Sequence, residues 1–287
     1  MQKFISSIDQ SVNWVSDEKF ESRFVQRTDD YIIAYLSSHN GCNKACRFCH
    51  LTQTKQTSFV SASINDYINQ LNPVLDHYSK RLSNGHKVVP QINFNFMARG
   101  EPLANTTILN DSAAFFSAMN ESVSAYNLKS KFNLSTIGPQ EISDRLISEF
   151  IKPSPEISIY YSLYSVKESF RKKWVPKSIP VHIMLENMQD WQSKGGNNVL
   201  HWSLIEGEND SIEDIDEIMD LVSKYGIKAK FNLVRYNPYS DMQGKEPTQE
   251  KIDQYFNYIS ECLGHIDSKI VSRVGFDIKA SCGMFVS

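Results

Sequence analysis

The sequence predicts an α/β fold, a partial (β/α)6 barrel with short N-terminal and C-terminal extensions. Three observations predict it. Short apolar or alternating stretches recur, each followed by a longer stretch with apolar residues at helical spacing. Six such units in a row call for a parallel sheet with helices outside it. The residues able to do chemistry fall just after the strands, where barrels gather their active groups. The expected division is an N-terminal extension over 1–30 and a barrel over 31–287 that includes a C-terminal cysteine segment.

In chain order, residues 1 to about 30 are mixed and polar, with weak alternation over 20–25. They read as a short helix or coil and then a strand-like extension. Tyr31 to Leu36 is the first buried strand and runs into a cysteine loop. Ile64, Ile68, Leu71, Leu75, Tyr78 and Leu82 mark a helix, and Ile92, Phe94 and Phe96 alternate with Asn93 and Asn95 as a strand. The spacing then predicts a helix over about 108–126, a strand at 132–135 and a short helix over about 140–150. A strand at 157–161 precedes helical segments to Lys194, which Gly195-Gly196 end. Strands at 199–204 and 229–234 flank a helix over 212–225, and a helix over about 248–264 leads to a last strand near Ile270.

The composition is globular, 41% hydrophobic and 22% charged. A net charge of −3 shows no global basic field, so a nucleic-acid partner would have to be held by a local basic rim. The start, Met1 to Ile5, lacks an apolar core for export, and no stretch approaches a membrane span, so no membrane partner is expected; free thiols point to the reducing cytoplasm.

Three of the five cysteines sit at C-x3-C-x2-C spacing in Cys42-Asn43-Lys44-Ala45-Cys46-Arg47-Phe48-Cys49. Three thiolates can hold three irons of a [4Fe–4S] cluster and leave the fourth iron open to a cofactor. A zinc site wants four N/S ligands, and the only nearby fourth, His50, adjoins Cys49. A disulfide framework fits an odd cysteine count poorly. Arg99-Gly100-Glu101-Pro102 follows the second strand. There Gly100 permits close backbone approach and Glu101 can accept hydrogen bonds from an ammonium group, although such a tripeptide is often only a turn. Ser135 and Ser162 end later strands and can bond a cofactor's carboxylate or ribose, or simply satisfy local backbone groups. Asn237 follows the sixth strand, where it can cap the strand or touch an adenosyl group.

The cysteine spacing, with Phe48 before the last cysteine, resembles the signature of radical SAM enzymes, and Gly100-Glu101 looks like their Gly-Gly-Glu element. More specifically, the chain resembles the RlmN/Cfr-like radical methyltransferases. Phe96-Met97 through Pro102-Leu103, Leu134-Ser135-Thr136-x-Gly138, Ser162-Leu163-Tyr164 and Gly207-x-Asn209-Asp210-Ser211 are similar to that family's motifs. So are Asn237-Pro238-Tyr239 and Gly275 to Gly283, all in the right order over about residues 20–285.

The resemblance implies a radical SAM barrel and methylation of an adenine carbon of ribosomal or transfer RNA. It implies a [4Fe–4S] cluster on Cys42, Cys46 and Cys49, and S-adenosyl-L-methionine (SAM) held by Phe48, Gly100, Glu101, Ser135, Ser162 and Asn237. Cys282 would be the catalytic residue that carries the methyl, against the alternative of a stray buried thiol. The implied partners are RNA and an electron donor such as flavodoxin or ferredoxin, with a monomeric enzyme.

Three departures accompany the match. Tyr35 stands where the family has a second, resolving cysteine. The stretch before Cys42 is too short for the family's N-terminal helical domain. The His of its Ser-Leu-His element is Tyr164. Cys262 continues the Ile252, Tyr255, Phe256, Ile259 stripe and reads as core. For RNA the candidates are Arg23, Arg27, Lys44, Arg47, Lys55, Arg99 and Arg171-Lys172-Lys173, with Arg99 favoured for touching substrate and 171–173 readable as a solvated helix face. A radical SAM enzyme of other chemistry on a smaller substrate, and a non-catalytic binding protein, are the rival readings. The retained cysteines and Gly-Glu pair argue against the second.

Overall fold

A computed structural model describes residues 1–264 and 267–286. Among the described residues ten strands form one sheet in sequence order. These are β1 (Gln2–Ile5), β2 (Val12–Val15), β3 (Glu21–Gln26), β4 (Tyr31–Leu36), β5 (Gln91–Phe96), β6 (Lys129–Thr136), β7 (Ile157–Tyr161), β8 (Asn197–Trp202), β9 (Ala229–Val234) and β10 (Lys269–Val271). The first four pair antiparallel. From β4 to β10 every pairing is parallel. The helices are α1 (His50–Gln53), α2 (Ile64–Ser83), α3 (Thr106–Ser124), α4 (Glu168–Trp174), α5 (Val181–Ser193), α6 (Ile212–Lys224) and α7 (Gln249–Cys262). No helix among the described residues is long and apolar enough to cross a membrane.

The N-terminal residues differ from expectation. Instead of a short helix or coil, residues 2–26 form a three-stranded meander that continues the barrel sheet. The strands β1 and β2 have four residues each, and all of β2 is buried, so no period-two alternation shows in the sequence. The short helix expected over about 140–150 is two 3-10 turns, Gln140–Ile142 and Ile147–Glu149.

The parallel strands curl. Tyr31 and Tyr35 of β4, Asn95 of β5, His201 of β8, Asn232 of β9 and Lys269 of β10 all line one small cavity, which a flat seven-strand sheet could not arrange. The apolar face of α2, with Tyr67, Leu71, Val74 and Tyr78, packs outside the sheet. Two buried amides then tie the helix layer to the loop after β4. Gln70 accepts from the Ser37 N–H at 2.7 Å and donates to its carbonyl at 3.1 Å. Asn105, which caps α3, donates to the Ser38 carbonyl at 2.7 Å. A buried unpaired carbonyl costs about 1–3 kcal/mol, so these side chains fix where the strand ends and the cysteine loop starts.

Candidate active site

The cysteine loop is folded by its own backbone and by residues just beyond it. The Cys42 N–H donates to the Gln56 carbonyl at 3.0 Å, and the Cys49 N–H to the Cys46 carbonyl at 3.1 Å. A Cβ on Gly41 would lie 2.6 Å from the carbonyl oxygens of Gln56 and Ser58, so only glycine fits there. Across the way, the Ser38 and His39 N–H groups both donate to the Arg99 carbonyl, at 2.8 and 3.3 Å. Gly100 sits at φ +96°, and a Cβ on it would strike His39 Nδ1 and Ser38 Oγ at 2.6 Å. This glycine therefore lets the Gly-Glu turn abut the approach to the cysteine loop.

One cavity of about 170 Å³ collects the chemistry. Cys42, Cys46 and Cys49 line it together with Phe48, Gly100, Glu101, Ser135, Ser162 and Cys282. Burial pushes the Cys42 thiol up to about 12 and the Cys49 thiol to about 11, and raises Cys46 as well. Such thiols ionise when a cation coordinates them, and soft thiolates suit iron–sulfur clusters. Among the described residues no three His, Cys, Asp or Glu converge on a single-ion site. A cluster does not ask for that, because each cysteine holds a different iron. His50, the only fourth ligand the zinc reading had, has its Nε2 against the Asn237 carbonyl at 3.2 Å. The donor set fits a three-cysteine cluster.

Glu101 is 4% exposed. Its Oε1 accepts from the Leu103 N–H at 3.2 Å and its Oε2 from the Ile137 N–H at 3.1 Å, joining the ends of β5 and β6. Burial pushes its carboxyl up to about 7, against the lowering pull of bonds from Thr136, Ile137 and Leu103. An ammonium beside it would favour the ionised form. Ser135 and Ser162 line the same wall, and among the described residues neither hydroxyl has a protein hydrogen-bond partner, which leaves both open to a ligand. The Phe48 ring stacks on Tyr164 at 4.6 Å, and the buried Phe170 and Trp174 continue the stack. Tyr164 thus props the loop's aromatic residue, a role its position after Ser162-Leu163 did not announce.

Asn237 is placed differently from the expectation that it binds cofactor. It does not line the cavity, and its amide is spent on the chain. Its Nδ2 donates to the Cys282 carbonyl at 2.9 Å and to Ser281 Oγ at 3.3 Å, and its Oδ1 accepts from Arg273 Nε at 2.7 Å. The Gly283 carbonyl accepts from the His50 N–H at 2.9 Å. Cys282 is exposed at the cavity wall; desolvation by the surrounding chain raises its thiol to about 11, while the nearby Arg23 charge pulls it down. Tyr35 lines the same cavity, with the Arg23 guanidinium 5.2 Å from its ring centre. Cys262, expected in the core, is exposed at the last turn of α7, whose buried side is Ile252, Tyr255, Ile259 and Ser260.

The basic candidates also divide. Arg99, favoured for substrate, is 1% exposed and fully engaged by protein groups. Arg171 is buried and holds the loops around 163–179, while Lys172 and Lys173 pair with Glu168 and Glu208. Lys44 pairs with Glu141, Arg47 lies over Trp174, and Lys55 is exposed. Of the candidates, Arg23, Arg27 and Lys44 do line the cavity, joined by Arg235 and Arg273; Arg23 pairs with Glu21 and Lys44 with Glu141, so that among the described residues Arg27 alone of the five has no ion pair. Arg235 and Arg273, which share Glu246, were missed because they are far apart from the other candidates in sequence.

No family model matches the chain. It is 26% identical over 264 residues to a probable dual-specificity RNA methyltransferase RlmN of Flavobacterium psychrophilum, covering 91% of this chain and 71% of the relative. It is 26% identical over 294 residues to the dual-specificity RNA methyltransferase RlmN of Rhodopseudomonas palustris, covering 100% and 69%. The chain thus spans about seven-tenths of these relatives. A radical SAM methyltransferase from Sphaerobacter thermophilus superposes with a TM-score of 0.75 at 18% identity over 99% of this chain and 80% of that one. TYW1 with a bound lysine–pyruvate adduct gives 0.51 at 13% identity over 95% and 89%. Barrel and thiol-lined cavity define a radical SAM enzyme, whose cofactors are a [4Fe–4S] cluster and SAM. Within that class, the chain is similar to the RlmN methyltransferases.

Proposed function

We propose that the protein methylates an adenine carbon of an RNA, with Cys282 carrying the methyl group. The observation that carries this reading is that Cys282, from a segment hundreds of residues away in sequence, lines the same cavity as Cys42, Cys46, Cys49 and Glu101. Bound cluster and SAM supply a methyl group and a one-electron cleavage of a C–S bond. The protein's part is to hold and place. The three cysteines would ligate the cluster; Glu101, with Gly100, would receive the SAM ammonium; and the free hydroxyls of Ser135 and Ser162 would bond its other polar groups. Phe48, stacked on Tyr164, would flank the cofactor. Asn237 is assigned here to fixing the Cys282 backbone rather than to SAM. Arg27, which lines the cavity without an ion pair among the described residues, supports an anionic group of the substrate, and the names of the relatives support RNA. The electron would come from a flavodoxin or ferredoxin, to a monomeric enzyme in the cytoplasm.

Tyr35 favours a second reading, in which the same site acts on a smaller, non-RNA substrate. Its phenol shares the cavity with Cys282 and can form no disulfide with it. Under the first reading Cys282 would stay bonded through the transferred carbon to the RNA; breaking that S–C bond would leave its sulfur to form a disulfide with an external thiol in place of the family's resolving cysteine, with one electron passed to an acceptor, and Tyr35→Cys would remove the need for that thiol. Mass spectrometry of RNA from cells with and without the protein decides between them: a methyladenine present only with the protein supports the first reading, and unchanged RNA removes it.

A further inference from the structure

Residues 281–286 form neither helix nor strand; one turn joins the Met284 N–H to the Ser281 carbonyl at 2.9 Å, and bonds from other parts of the chain hold the segment in place. One side is held by Asn237 and the His50 N–H, as described. The other side is held by Arg99. Its Nη2 donates to the Val286 carbonyl at 2.7 Å, its Nη1 to Gln56 Oε1 at 2.6 Å and its Nε to Glu21 Oε2 at 3.0 Å. Gln56 Nε2 donates to the same Val286 carbonyl at 3.2 Å, while the Gln56 main chain receives the Cys42 N–H. Both lone pairs of one carbonyl are thus used, by one residue beside the Gly-Glu turn and one behind the cysteine loop.

We infer that Arg99 and Gln56 form a latch that seats the Cys282 segment against the cluster loop, making Arg99 a positioning residue for the methyl carrier. The inference rests on the carrier reading of Cys282 for its purpose and on the hydrogen bonds for its existence. A plain structural ion pair with Glu21 would need one of the three bonds. The other two go to Gln56 and Val286, and only a planar fork can make all three together; an ammonium cannot.

The test uses the full chain with its cluster reconstituted, as wild type, Arg99→Lys and Gln56→Met. Hydrogen–deuterium exchange is read on the peptide covering 281–286 and, as a reference, on β2 and β3. In both variants exchange at 281–286 is expected to rise about tenfold, the shift for one charge-assisted hydrogen bond. The β2 and β3 peptides and the iron content should stay at wild-type levels, and methyl uptake by Cys282 from SAM should slow. Unchanged exchange at 281–286 in both variants overturns the latch, and so does an equal rise throughout β2 and β3, which would mean general loosening. If Arg99→Lys does not fold, Gln56→Met, which leaves no buried charge unpaired, still decides. Faster exchange in the variants with a wild-type Cys282 that never takes a methyl keeps the latch and removes the carrier reading. Methyl uptake with unchanged exchange does the reverse.

Discussion

Two cysteine-bearing regions meet in one cavity and are built in opposite ways. The loop of Cys42, Cys46 and Cys49 is local: glycine at 41, turns between neighbours, and a carbonyl of Gln56 fourteen residues on account for most of its shape. The segment carrying Cys282 has one such turn, from the Met284 N–H to the Ser281 carbonyl, and otherwise depends on distant groups. It is positioned by Asn237, His50, Arg99 and Gln56, borrowed from the end of β9, the start of α1, the end of β5 and the loop behind the cysteines. The difference teaches that a thiol group can be placed by spacing in one region and by who holds its backbone in another.

The largest way to break the comparison is at the loop. Replacing Cys42, Cys46 or Cys49 by Ala should abolish the roughly four irons per chain expected after anaerobic reconstitution. Cys282→Ala and Cys262→Ala should leave iron content intact, and iron analysis of the purified variants checks all five. The same Cys282→Ala change should eliminate the extra methyl mass on the peptide containing it and all methyl transfer. A variant that still made product would sink the carrier reading without touching the cluster.

An intermediate effect is expected at Glu101. Without its carboxylate, a SAM ammonium loses a charge-assisted bond of about 1.5–3 kcal/mol, so Glu101→Ala should weaken SAM binding by roughly one to two orders of magnitude. Equilibrium binding on the reconstituted protein measures this, with iron content as control. At the other region, Asn237→Ala removes the donor to the Cys282 carbonyl and should cost about 1–3 kcal/mol of local order, read as faster exchange at 281–286. Its SAM affinity should hold at the wild-type value, which separates it from Glu101.

The smallest effect concerns neither region but the barrel interior between them. Burial, then the Lys269 charge, lowers His201 from the ordinary 6.5 to about 4. The folded state therefore favours neutral His201. Its contribution to stability is complete above about 6.5 and is lost as pH falls toward 4, about 1–2 kcal/mol by pH 5. The slope of unfolding free energy between pH 7 and 5 should flatten by that amount in His201→Asn. An unchanged slope would assign the acid sensitivity to other groups.

Much of this was legible in the sequence. The parallel strands from Tyr31 onward show their period because each is flanked by a helix with a clear apolar stripe, and the Gly-Glu turn and the cysteines stand out by residue type and spacing. Of the N-terminal meander only β3 was legible, as the weak alternation over 20–25; β1 and β2, strands of four residues, one of them buried throughout, give no alternation. Nor was the engagement of Arg99. An arginine beside a cofactor turn looks like a substrate group in sequence, and only the fold brings Glu21, Gln56 and Val286 within reach of its three donors.

By itself, the sequence determined the class of scaffold and singled out the three closely spaced thiols, because period and spacing act over a few residues and survive without knowledge of the rest. Only the tertiary structure decided what lies across the cavity from them. Asn237 turned from a cofactor ligand into a backbone clamp, Cys262 moved from core to surface, and Arg235 and Arg273 joined Arg23 on one wall. The physical reason is that curling a seven-strand parallel sheet sets residues two hundred positions apart side by side, and hydrogen-bond partnership depends on that closure rather than on local pattern.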